Sequence, residues 1–139
     1  MLCTIRKVFS TGAARDRETA LRDVAKAMGH QRLGAKARKV LETDLLTAVR
    51  RGILENERGQ LSLLARHMSD YERSFLKEMF LAAIGRRWVE REEAIRLLAR
   101  HMGFARTGSE MMKLGRSLIN GLIRTKELES EGKEMIRRG

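Results

Sequence analysis

An internal repeat constrains the fold of this chain more than any other feature. A shift of 74 residues aligns residues 17–57 with residues 91–131 without a gap and gives 14 identical pairs in 41 positions. Unrelated segments of ordinary composition would give about 3. The same alignment continues upstream to about Met1. We therefore predict two copies of one small unit, over residues 1–66 and 67–139.

The apolar spacing of the second copy predicts three helices. The first follows Ser69, the second runs from about residue 90 to 102, and the third runs from 109 to about 125. Ser69 and Thr107 each precede a glutamate by three residues, which is the spacing of a capping box. We expect Gly103, in a left-handed conformation, to end the second helix.

A short β-hairpin is predicted after the third helix of each copy. In the first copy Asn56-Glu57-Arg58-Gly59 separates two apolar runs, and a weaker version surrounds Gly132 in the second copy. The absence of proline favours helices elsewhere. The predicted fold class is mainly α with short β-hairpins, arranged as two tandem winged helix-turn-helix units related by the 74-residue repeat.

The charge balance is strongly basic. The chain has 29 Lys and Arg against 18 Asp and Glu, a net charge of +11, and both halves carry an excess of positive charge. Nucleic acid is the leading partner, ahead of an anionic membrane surface or an acidic protein. No apolar run approaches the roughly 20 residues of a membrane span. We expect a cytoplasmic protein with no membrane partner.

Residues typical of catalysis or metal binding form no recognisable pattern. Cys3 is the only cysteine, so an internal disulfide cannot form, and the three histidines lack metal-ligand spacing. There is no glycine-rich phosphate loop and no nucleophile motif. We predict a protein that is not an enzyme and that has no cofactor and no metal.

The turn before the third helix resembles a known bacterial domain. The run Gly103-Phe104-Ala105-Arg106-Thr107-Gly108-Ser109, and residues 29–34 in the first copy, are similar to the uncharacterised C-terminal domain of large superfamily-one helicase and endonuclease-like proteins. There a G-F-x-R-T-G-S run is followed by a helix and a wing. The resemblance covers about 40 residues of each copy. It implies a DNA-associated accessory module.

If the third helix enters a DNA groove, its face opposite the core should carry cations and small polar groups. Lysine and arginine there can neutralise phosphates, and Asn, Thr and Ser can reach base edges. The hairpin tips would contact neighbouring phosphates. The predicted DNA-binding residues are Arg32, Lys36, Lys39, Thr43 and Arg58 in the first copy, with Arg106, Lys113, Arg116, Ser117, Asn120 and Lys133 in the second.

Several acidic residues weaken this interpretation. Glu42 faces outward on the third helix of the first copy. In the second copy Glu110 opens the third helix, and four further glutamates surround the hairpin. The first copy is therefore the better electrostatic candidate. The favoured function is a non-enzymatic protein that binds duplex DNA as a regulator or as an accessory module to a helicase or nuclease system. The alternative is a protein-interaction or dimerisation module with no direct role in DNA binding. Such a module would form a homodimer or bind a larger partner.

Overall fold

The structure, a computed structural model, describes residues Met1–Gly139. It is mainly helical, with six α-helices and six short strands that form two three-stranded antiparallel sheets. The chain divides into two compact units. The first contains Met1–Arg66 with Met102–Phe104, and the second contains His67–His101 with Ala105–Gly139.

The first unit contains three helices and one sheet. The elements in chain order are α1 (Leu2–Phe9), β1 (Arg15–Asp16), α2 (Arg17–Ala27), α3 (Ala35–Arg50), β2 (Leu54–Glu57) and β3 (Gln60–Leu63). Strand β3 lies in the middle of the sheet, between β1 and β2. Strands β2 and β3 form a hairpin in which Glu57 pairs with Gln60.

The core of the first unit forms from apolar side chains of all three helices and of the hairpin. Ile5 and Phe9 recur at i and i+4 on α1, and Leu21 and Val24 recur at i and i+3 on α2, which brings each pair onto one helix face. Helix α3 contributes Leu41, and β2 and β3 contribute further buried leucines. Burial of this stripe holds α3 against the unit and leaves its opposite face in solvent.

The second unit has the same order of helices and strands, preceded by a short 3-10 turn (Met68–Asp70). The elements are α4 (Arg73–Ile84), β4 (Val89–Glu90), α5 (Arg91–His101), α6 (Ser109–Arg124), β5 (Leu128–Glu131) and β6 (Met135–Arg138). Strand β6 lies between β4 and β5. Helices α3 and α6 are both 16 residues long and begin 74 residues apart.

Two local predictions from the sequence are confirmed. Gly103 has a φ of 76°, and Gly29, at the corresponding position in the first unit, has a φ of 85°. Both glycines follow the second helix of their copy, and the left-handed conformation ends it. The predicted hairpins also form, with four-residue strands in each.

The two predicted capping boxes are wrong. Helix α4 begins at Arg73, and the carboxylate of Asp70 instead accepts a hydrogen bond from the backbone N–H of His67 in the 3-10 turn, at 3.0 Å. Helix α6 has Gly108 as its N-cap and no side-chain cap, so Thr107 does not cap it. Helix α2 has a side-chain cap that was not predicted. Asp16 accepts a hydrogen bond from the N–H of Thr19 at 2.8 Å and caps α2.

One strand in each sheet was not predicted from the sequence. Strands β1 and β4 contain only two residues, immediately before the second helix of each unit. Arg15 pairs with Leu61, and Val89 pairs with Ile136. Two residues are too few for the alternation that identifies a strand from sequence. This strand fixes the start of the second helix beside the hairpin.

Candidate nucleic-acid interface

The outer face of α3 carries the residues predicted for the first unit. Leu41 and Leu45 lie on its buried side, whereas Lys36, Lys39 and Thr43 are exposed on the opposite side. The two lysines form no ion pair. The hydroxyl of Thr43 donates a hydrogen bond to the backbone carbonyl of Lys39 at 3.0 Å. Its donor is therefore used within the helix, and only its lone pairs and its methyl group remain for a partner.

An ion-pair network lies beside this face. Arg38 pairs with Glu18 and with Glu42, the latter at 3.1 Å, and Arg17 pairs with Glu42 at 2.9 Å. The hydrogen bond from Arg38 lowers the pKa of the Glu18 carboxyl below its ordinary value and raises the pKa of Arg38. Two arginines of the first unit are thus compensated internally, and Lys36 and Lys39 are not.

Arg58 lies at the tip of the first hairpin. Arg58 and Gly59 have φ values of 54° and 85° and form the two-residue turn between β2 and β3. Two positive φ values identify a type I′ turn, which matches the twist of a hairpin but disfavours side chains other than Gly, Asn and Asp. The amide oxygen of Asn56 accepts a hydrogen bond from the N–H of Gly59 at 2.9 Å. The turn holds the exposed guanidinium at the tip.

The outer face of α6 has a different chemistry. Lys113, Arg116, Ser117 and Asn120 are all exposed. Lys113 lies 3.9 Å from the carboxylate of Glu110 on the same helix, whereas Arg116 forms no ion pair. This face therefore offers an uncompensated guanidinium, which can donate two hydrogen bonds to a guanine edge or a phosphate, and an amide, which can form a pair of hydrogen bonds with adenine.

A groove of about 560 Å³ in the second unit brings predicted residues of the helix and the hairpin together. Arg116 and Asn120 reach it from α6, and Lys133 reaches it from the hairpin loop. The beginning of α5 supplies Arg91, whose Nε atom is buried without a hydrogen-bond partner. Three carboxylates also line the groove, from Glu90, Glu92 and Glu134.

One pair of corresponding positions carries opposite charges in the two units. The 74-residue shift places Glu42 of α3 on Arg116 of α6, and Arg17 on Arg91. In the first unit the arginine at the start of the second helix is paired with the glutamate. In the second unit both positions are arginines, and neither forms an ion pair. The expectation that the first copy is the better electrostatic candidate therefore omitted the network around Glu42.

The two predicted arginines of the turns are also exposed. Arg106 precedes α6, and Arg32 precedes α3. Arg32 borders a shallow depression together with Arg22 and Lys26, two exposed cations that the sequence analysis did not select. Arg22 and Lys26 lie at i and i+4 on α2, a spacing that places both on one helix face and could have identified them from the sequence. Neither Arg32 nor Arg106 donates a hydrogen bond to the end of the preceding helix.

The remaining chemical groups of the chain do not form a second candidate site. The structure has no group of three or more His, Cys, Asp or Glu side chains that could hold a metal ion. Cys3 is a free, partly buried thiol. None of the helices combines the length and the apolar composition needed to cross a lipid bilayer.

Comparison of the chain with models of protein families, with curated proteins and with solved structures found no match. The resemblance to the helicase-associated domain stays a prediction from the residues that carry it.

Proposed function

We propose that the protein binds duplex DNA and does not catalyse a reaction on it. Each unit acts as a winged helix, with its third helix in the major groove and its hairpin over the neighbouring backbone. The protein serves as a regulator or as an accessory module to a helicase or nuclease system. The observation that carries this proposal is the convergence of Arg116 and Asn120 with Lys133 on one groove.

The dimensions and charges support groove docking. A helix of 16 residues is about 24 Å long and, with its side chains, about 10–12 Å wide, and the major groove of B-DNA is about 12 Å wide. All eleven predicted residues are exposed. The net charge of +11 favours association with a polyanion, and local cations on the third helix and hairpin fix the orientation.

A combined substitution tests the contacts of the first unit. We expect Lys36→Ala, Lys39→Ala and Arg58→Ala together to weaken binding to a labelled duplex and to reduce the salt slope by about 3, because each cation that leaves a phosphate removes about 0.9 from the slope. A control variant removes three exposed cations elsewhere, Lys7, Arg86 and Arg87. Equal effects of the two variants, both folded, would refute the proposed contacts.

A protein-interaction module is the second candidate function, and one observation favours it. The groove of the second unit contains three carboxylates beside its three cations, a balance that repels phosphates as well as attracting them. A protein surface with both charges would complement it. A molar mass that rises with protein concentration in light scattering, together with no binding to DNA, would support this candidate over duplex binding.

A further inference from the structure

Two apolar side chains on the outer face of α3 are left without a covering element. Val40 retains 57% of its accessible surface and Leu46 retains 59%, the two largest fractions among the exposed large apolar side chains of the chain. Helix α3 already has a buried stripe on its other side, formed by Leu41, Leu45 and Ala48. The exposed pair is therefore an addition to the core pattern and not a part of it.

Val40 and Leu46 line one shallow depression of this face, together with Lys39, Thr43 and the carboxylates of Glu42 and Asp44. The hydroxyls of Thr43 and Thr47 donate to the carbonyls of Lys39 and Thr43, each at 3.0 Å. Both donors are therefore used on the helix backbone. The middle of this face has no amide side chain and no free hydroxyl donor. Besides the lysines, the charged groups here are the carboxylate of Glu42, which pairs with Arg17 and Arg38, and the carboxylate of Asp44, which forms no ion pair.

The corresponding face of α6 keeps an apolar residue, Leu114, at the position of Val40 but carries hydrogen-bonding groups at two others. The 74-residue shift places Leu46 on Asn120 and Thr43 on Ser117. An exposed amide reads adenine through paired hydrogen bonds, which an isobutyl side chain cannot make. The two third helices are thus equipped for different kinds of contact, although their lengths are identical.

We propose that α3 reads thymine in the major groove through apolar contacts of Val40 and Leu46 with C5-methyl groups. The C5-methyl is the only apolar group that a standard base pair presents there. Lys36 and Lys39 are exposed on the same helix and can neutralise backbone phosphates. These two unpaired lysines outnumber the one unpaired carboxylate of this surface, that of Asp44, so its charge complements duplex DNA better than a second apolar protein surface. The inference rests on the proposed duplex-binding function and names the base that its first unit prefers.

The test uses two duplexes of one A·T-rich sequence, one with thymine and one with deoxyuridine in its place. Deoxyuridine lacks only the C5-methyl and keeps the same pairing. We expect the protein to bind the thymine duplex more tightly, by about fourfold for each methyl group that becomes buried. The variant Val40→Ala/Leu46→Ala should bind both duplexes with equal affinity. Its substitutions are at exposed positions, so its fold should persist.

A second variant assigns the effect to the first unit. Arg116→Ala/Asn120→Ala changes the groove of the second unit and should keep the preference for thymine, although it binds both duplexes more weakly. Equal affinities of the unchanged protein for the two duplexes, with salt-dependent binding intact, would overturn the inference and leave the proposed function standing. Absence of any duplex binding would overturn both. Self-association abolished by Val40→Ala/Leu46→Ala, with no thymine preference, would also overturn the inference.

Discussion

Gly115 of α6 lies so close to Ile95 of α5 that a Cβ atom on the glycine would be 2.6 Å from Cγ1 of the isoleucine. Cγ2 and Cδ1 of Ile95 would lie at 2.7 and 2.9 Å. Both residues are buried. The sequence alone would count Gly115 as a weak point of the helix, costing about 1 kcal/mol relative to alanine. The structure gives it a packing role, because its missing side chain allows α5 and α6 to approach.

We therefore expect Gly115→Ala to lower the free energy of unfolding by about 1–3 kcal/mol, since overpacking outweighs the gain in helix propensity. Gly121→Ala is the matched control on the same helix. There a Cβ would meet only the ends of the flexible side chains of Arg73 and Lys77, at 3.2 and 3.4 Å. It should be neutral or stabilising by up to about 1 kcal/mol.

Urea denaturation of both variants measures this difference. Ile95→Ala combined with Gly115→Ala should be less destabilising than the sum of the two single changes, because the truncated side chain makes room for the new Cβ. A Gly115→Ala protein as stable as the Gly121→Ala protein would contradict the packing role.

The hairpin tip gives a prediction that separates stability from binding. Arg58 has a left-handed conformation, which costs a non-glycine residue roughly 1 kcal/mol and which asparagine tolerates better. We expect Arg58→Asn to raise the free energy of unfolding by up to about 1 kcal/mol and to weaken DNA binding, with a salt slope smaller by about 1. Thermal unfolding and a salt titration measure the two effects. A stabilised variant whose DNA binding keeps the same salt slope would show that Arg58 does not contact the DNA.

The network around Glu42 predicts a substitution that strengthens DNA binding. Glu42→Gln releases Arg17 and Arg38 from their shared carboxylate and removes a negative charge beside Lys39. We expect tighter duplex binding at low salt and a steeper salt slope, by up to about 1. Glu78→Gln on α4, an exposed position outside the proposed interface, adds the same charge and should have a smaller effect. If both variants bind the duplex equally more tightly, the gain in affinity comes from net charge alone and not from the network around Glu42.

Asp16 gives a prediction about acid stability. The N–H of Thr19 donates a hydrogen bond to its carboxylate, which lowers the pKa of Asp16 below its ordinary value of 3.8. A carboxyl with a lowered pKa stabilises the fold above its unfolded pKa and loses that contribution as the pH falls through the folded value. Asp16→Ala should therefore be less stable than the unchanged protein at pH 7, and the difference should shrink as the pH falls below about 4.

Asp16→Asn supplies the control, because asparagine is a good N-cap that does not titrate. Its unfolding midpoint at pH 7 should stay close to that of the unchanged protein. Unfolding curves of the three proteins between about pH 2 and pH 7 measure these midpoints. An Asp16→Ala protein with the midpoint of the unchanged protein at pH 7 would show that the cap contributes nothing.

Long periodic elements of this fold were predictable from the sequence, and short contacts were not. Helices α3 and α6 are each 16 residues long and each has an apolar stripe, and Gly29 and Gly103 mark helix ends by a conformation that few other residues adopt. Ser69 and Thr107 have the spacing of capping residues but do not cap a helix. Spacing along the chain indicates which bonds are possible, and the path of the backbone decides which of them form.

The candidate site divides in the same way. Periodicity was sufficient to place Lys39 and Arg116 on exposed helix faces. The pairing of Glu42 with Arg17 joins two helices and depends on their packing, so one-dimensional spacing could not indicate it. The convergence of Lys133 with Asn120 likewise depends on the direction in which the hairpin returns to α6.

The central claim is that the third helices and hairpins bind duplex DNA. The most direct measurement is a titration of the unchanged protein into labelled duplex DNA at several salt concentrations, with single-stranded DNA as competitor. We predict binding that persists near physiological salt and that prefers the duplex, because groove docking adds contacts beyond charge neutralisation. The claim would be contradicted if binding disappears near physiological salt, or if single-stranded DNA competes as well as the duplex does. The net charge of +11 would then account only for a general affinity for polyanions.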